Sequence, residues 1–98
     1  MTVKLELKVN DAPITTDYFV AGFMDHTVSG MIEALENTGK ITDLNLTIDG
    51  DKVTVVLNGA VVPTNAFVNK IFKATIAGMI STLKGVNEIK KVNITINK

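Results

Sequence analysis

The chain has 98 residues, 46 % apolar and 20 % charged, a composition that suits one compact domain spanning residues 1–98 and excludes a disordered segment. It has no cysteine, which rules out disulfides, thiol catalysis and thiolate metal sites. All ten basic residues are lysine, so the planar guanidinium fork that reads phosphate and guanine is missing. Net charge is zero but unevenly placed: residues 1–49 carry three lysines against eight acids, and residues 50–98 carry seven lysines against two. A field divided in this way acts on association more than on fold.

A repeat organises everything else. Shifted by 48 positions, residues 4–49 lie on residues 52–97 without a gap, and 15 of the 46 pairs are identical, among them Asn10/Asn58, Phe19/Phe67, Gly30/Gly78 and Thr47/Thr95. A single unit of that length would bury too little apolar surface to offset its conformational entropy, so an internal duplication sharing one core is expected.

In chain order, Val3 to Val9 alternates in polarity as a half-buried strand does. Asn10-Asp11-Ala12-Pro13 is turn chemistry, and Thr16 and Asp17 offer a capping hydroxyl and a negative charge to a helix from about Asp17 to Glu36. Its apolar stripe is Val20, Phe23, Met24, Thr27, Val28, Met31, Ile32 and Leu35, spaced three and four apart. Asn37 aligns with Gly85, and both types tolerate the left-handed conformation that ends helices. Asp43 to Ile48 and Lys52 to Leu57 alternate on either side of Asp49-Gly50, a hairpin signal. Asn58-Gly59 turns the chain again, Thr64 caps, the second helix runs through Val68, Ile71, Phe72, Thr75, Ile76, Met79, Ile80 and Leu83 to Gly85, and Glu88 to Asn97 forms the last strand.

The expected order is βαββαβ. Two right-handed βαβ units joined by a hairpin predict an α+β two-layer sandwich, with an antiparallel sheet ordered 4-1-3-2 and both helices on one face. This pattern resembles the ferredoxin-like fold along the whole chain. The resemblance brings no catalytic motif, so it transfers no functional residue.

The candidate chemistry is sparse. His26 is the single histidine; Asp25, Ser29 and Glu33 follow one another at steps of four, but the equivalent positions Lys73, Ala77 and Ser81 preserve none of that chemistry, and a solvated helix face is the better reading. The loops Asn10 to Thr16 and Asn58 to Thr64 place free backbone donors at helix N-termini. The first lacks a glycine-rich run and any basic residue, and Asp11 and Asp17 would repel an anion, which leaves it turn and cap duty, while Asn58, Gly59, Thr64 and Asn65 of the second make a poor second candidate. The outer sheet face, Lys4, Glu6, Lys8, Asn45, Thr47, Thr54, Val56, Lys91, Asn93 and Thr95, offers no aromatic side chain on which a base could stack, which argues against nucleic acid as a partner. No metal or cofactor is implied. No apolar run reaches bilayer length and the N-terminus alternates in polarity, so no membrane partner is implied and a cytoplasmic location is the expectation.

Two surfaces remain. Glycine inside a helix costs about 1 kcal/mol against alanine, so Gly22, Gly30 and Gly78 suggest a close approach, either of one helix to the other, with Gly22 facing Gly78, or of a partner. The candidate interface is Gly22, Asp25, His26, Gly30, Lys73, Ala74, Gly78 and Lys84. Phe23, Met24, Met31, Phe72 and Met79 could line an apolar cleft between helices and sheet. The leading expectation is therefore a non-enzymatic interaction and assembly module that self-associates as a homodimer or small oligomer. The alternative is a small-molecule binding domain using the cleft.

Overall fold

Alternating polarity builds the strands, and 3.6-residue periodicity builds the helices that cover them. The computed structural model describes residues 4–35, 41–83, 86 and 88–97. The elements are β1 (Lys4–Val9), β2 (Ala12–Ile14), α1 (Tyr18–Leu35), β3 (Asp43–Asp49), β4 (Lys52–Leu57), β5 (Ala60–Val62), α2 (Ala66–Ile80) and β6 (Lys91–Asn97). The strands form one antiparallel sheet in the order β2-β1-β6-β3-β4-β5.

This order corrects the expected 4-1-3-2, and with it the ferredoxin-like resemblance. In that arrangement the first strand has a neighbour on each side. Here β1 turns back on itself at Asn10-Asp11 and pairs with β2, so one of its edges is already taken; β4 does the same at Asn58-Gly59 with β5. The strand that opens each half is thereby pushed outward, and the strands that close the halves, β3 and β6, meet at the centre. The turn residues drive this. Asn10 and Asp11 have φ of 53° and 67°, and Asn58 and Gly59 have 49° and 84°, the two left-handed residues of a type I′ hairpin turn.

The sheet order reads the same from either edge once residues are shifted by 48 positions. A row of inward side chains crosses it as Ile14, Leu7, Ile94, Leu46, Val55 and Val62, with the pseudo-two-fold between Leu46 and Ile94. Each fully buried Leu or Ile contributes about 1.5–3 kcal/mol, so this row anchors the fold. Met24, Val28 and Ile32 of α1 and Phe72, Ile76 and Ile80 of α2, each at steps of four, press on the same face and complete one core. Because a two-fold normal to the sheet reverses any direction within it, α1 and α2 run antiparallel.

The helix starts differ by one residue from expectation. Asp17 accepts from the Val20 amide at 2.8 Å and Asn65 from the Val68 amide at 2.8 Å, so the caps are Asp17 and Asn65 rather than Thr16 and Thr64. Helix α2 stops at Ile80, where the Ser81 and Thr82 hydroxyls bond back to the Gly78 and Met79 carbonyls. Asn37 and Gly85 lie outside the described residues. The last strand begins at Lys91, not Glu88, because the Lys90 and Lys91 amides are held by the Asn10 side chain at 2.8 and 2.9 Å.

That contact has a counterpart. Asn58 Oδ1 accepts from the Thr42 amide at 2.9 Å, the Thr42 hydroxyl at 2.8 Å and the Asp43 amide at 3.0 Å. Each asparagine thus tethers the hairpin of one half to the entry of the other half's central strand. Backbone bonds from Asn10 N to Lys91 O and from Asn58 N to Asp43 O, both 2.8 Å, extend the same tethers.

Candidate functional site

The two faces of the molecule differ in kind. Outward side chains of the central strands are polar and open or half-open, with Asn45, Thr47, Asn93 and Thr95 at the centre, where Asn93 Nδ2 donates to Thr47 Oγ1 at 3.3 Å, while Val56 and the exposed Val61 form an apolar pair toward the β5 edge. All five aromatic residues sit instead on the helices, and only Phe72 is in the core.

The helical layer carries an apolar surface. Tyr18 is 97 % exposed, Phe19 72 % and Phe67 70 %, with Phe23 and Ile71 about half exposed. Phe19 and Phe23 stack at 6.0 Å between ring centroids. Between the helices lies an open groove of about 450 Å³, lined mainly by Phe19, Val20, Phe23, Met24, Met79 and Leu83, with Thr27 and Thr75 at the pseudo-two-fold. Of the candidate cleft residues, Phe23, Met24 and Met79 reach this groove. Phe72 faces the core and Met31 packs against it. The cleft therefore opens outward between the helices, not down toward the sheet.

A second hollow, about 750 Å³ and open to solvent, runs along the outer flank of α1 over Leu5, and Tyr18, Gly22, Asp25 and His26 line it. Asp25 is buried to 8 % exposure and accepts from Ser29 Oγ at 3.2 Å, while His26 and Glu33 are exposed. Among the described residues no group of three histidine, cysteine or acidic side chains could hold a metal ion.

The glycines do not mediate an intradomain contact. A Cβ added at Gly22, Gly30 or Gly78 would meet nothing within 4 Å, so Gly22 does not face Gly78 across a helix contact. With Ala74, they leave shallow ground on the exposed side of each helix. Lys73 turns toward the β3–β4 turn and bonds Asp51 at 2.7 Å, which holds the Asp51 carboxyl below its ordinary value, first through that hydrogen bond and then through the ammonium charge. Lys84 lies outside the described residues.

Phe19, Phe67 and Tyr18 were missing from the candidates drawn from periodicity. The signal was present: Phe19 and Phe67 stand five, nine and thirteen positions before the three buried apolar residues of their helices, on the side of the helix opposite the buried stripe. An aromatic side chain conserved between two repeats but off the core face has packing to find elsewhere.

Comparison with protein-family models, curated proteins and solved structures finds no match. Among the described residues no helix is long and apolar enough to cross a membrane.

Proposed function

We propose that the protein is a non-enzymatic interaction and assembly module whose helical layer is the docking surface. The observation that carries this reading is the exposure of Tyr18, Phe19 and Phe23 on α1 and of Phe67 and Ile71 on α2, on the same face of the molecule. Large exposed apolar side chains gathered on one face of a small domain are a mark of a protein contact surface. Aromatic residues are also the side chains from which interfaces draw most of their binding energy. The small-molecule reading is weaker, because the groove between the helices is open and its polar groups are threonine hydroxyls without a charged partner.

Sedimentation velocity over a micromolar-to-millimolar range tests the proposal on the wild type and on a Phe19→Ser/Phe23→Ser/Phe67→Ser variant. The wild type should sediment faster as concentration rises, and the variant should remain a folded monomer. A variant that associates as the wild type does would refute the helical layer as the docking surface.

A further inference from the structure

We infer that the helical layer docks on the helical layer of a second copy in a closed two-fold dimer, with α1 of one copy lying antiparallel on α2 of the other. This rests on the docking surface proposed above and adds its occupant and orientation.

Shape favours an antiparallel pairing. On the exposed side of each helix the bulk lies in the N-terminal half: Tyr18, Phe19 and Phe23 on α1, Phe67 and Ile71 on α2. The C-terminal halves are small there, with Gly30 and Ala34 on α1 and Ala74 and Gly78 on α2. An antiparallel crossing seats the aromatic half of each helix on the small half of its partner, whereas a parallel crossing sets bulk on bulk. This arrangement accounts for glycines that both repeats keep at a helical position where an added Cβ would meet nothing within the chain.

Charge chooses between the two antiparallel possibilities. Of the charged side chains on α1, Glu33 is exposed while Asp25 is buried, and α1 has no lysine; on α2, Lys70 is exposed while Lys73 is turned to Asp51, and α2 has no acid. An α1-on-α1 pairing sets each Glu33 over a helix with no lysine and each Lys70 over a helix with no acid, so neither charge finds a partner. With α1 on α2, Glu33 in the small half of one helix comes over Lys70 in the bulky half of the other, twice in the dimer. The same orientation lays the half of net charge −5 on the half of net charge +5.

Size permits it. The molecule measures 35 × 34 Å across and 18 Å through its two layers. A standard interface buries about 800 Å² per partner, a patch about 28 Å on a side, which this face can supply. A two-fold pairing uses the face on both copies at once, so assembly stops at two.

A charge-reversal cycle, read by sedimentation equilibrium at low salt, tests the orientation. An exposed ion pair is weak, but each reversal acts at two symmetric sites, so Glu33→Lys and Lys70→Glu should each weaken the dimer roughly tenfold. The double variant should restore it. Gly78→Leu, which has room in the monomer, should abolish the dimer while leaving the fold intact by circular dichroism. If the phenylalanine variant dissociates but the double reversal is as weak as the two singles combined, docking stands and this orientation falls. If Glu33→Lys strengthens the dimer, the α1-on-α1 pairing replaces it. If the wild type stays monomeric at every concentration, both the dimer and its orientation are overturned.

Discussion

Replacing Asn58 with glycine and with alanine separates two contributions that the structure assigns to one residue. Glycine adopts the φ of 49° without strain but removes the Oδ1 that accepts from Thr42 N, Thr42 Oγ1 and Asp43 N. At an exposed site water replaces much of what is lost, so each bond is set at the lower end of its range, about 0.5 kcal/mol, and the glycine variant should lose about 1.5 kcal/mol. Alanine loses the same bonds and also meets the left-handed penalty of about 1–2 kcal/mol, for a total near 3 kcal/mol. In a domain of this size 1 kcal/mol corresponds to about 4–8 °C in Tm, so Asn58→Gly should melt roughly 6–12 °C below wild type and Asn58→Ala about twice as far below. Thermal and urea unfolding by circular dichroism give the two differences, and hydrogen exchange should show Thr42 and Asp43 amides losing protection first. The reasoning is refuted if glycine leaves stability unchanged, since the tether then contributes nothing, or if alanine is no worse than glycine. Asn10→Gly and Asn10→Ala should repeat the pattern, because Asn10 has φ 53° and holds the Lys90 and Lys91 amides in the same way.

Three other outcomes follow from single contacts. Lys73 lowers the Asp51 carboxyl below 3.8, so the stability this pair supplies is present above the unfolded value and fades as pH falls through the folded one; an NMR titration should show Asp51 moving back toward 3.8 in Lys73→Met and in high salt. Asn69 Oδ1 on α2 is buried without a partner, so Asn69→Leu should raise Tm by several degrees, and a fall in Tm would mean that the amide is satisfied in solution. Gly30→Ala should stabilise the chain by about 0.5–1 kcal/mol in the phenylalanine-to-serine background, where association no longer contributes, because the new methyl meets nothing within 4 Å.

The strands and helices were legible because their periods, two and 3.6, are written directly in residues such as Leu44, Leu46 and Ile48 or Met24, Val28 and Ile32. The strand order was not. It depends on which strands have a free edge, and that is decided by two dipeptides, Asn10-Asp11 and Asn58-Gly59, whose turn chemistry suits a loop entering a helix as well as a hairpin. The following three residues are too few to show a period, so β2 and β5 announce themselves only through the turn. The docking face was half legible for a similar reason. Periodicity sorts residues into core and exterior, and it picked out Phe23 and Met79. An exposed aromatic such as Phe67, however, reads as a misplaced core residue until the packing shows that the core is complete without it.

The two halves share one frame but protect their outer edges differently, and this bears on whether assembly stops. Val9 and Ala12 flank a two-residue turn and so form a hydrogen-bonded pair; Lys8 and Pro13 are then a non-hydrogen-bonded pair, which turns the Pro13 nitrogen toward the free edge. Proline has no hydrogen to offer there, so the β2 edge presents no donor. By the same alternation Val61, paired with Val56, turns its N–H and C=O to the free edge of β5. One edge is closed and the other open, and a head-to-tail β2-to-β5 contact, which would propagate without limit, lacks its donor. Pro13→Val supplies that donor on a side chain suited to strands. The variant should fold with the wild-type circular dichroism spectrum yet scatter light increasingly with time at high concentration, through species larger than a dimer. Placing the substitution in the phenylalanine-to-serine background should leave this growth intact, because it runs along the sheet edge and not across the helices. If the scattering disappears in that background, the helical face drives the growth and the edge argument is wrong.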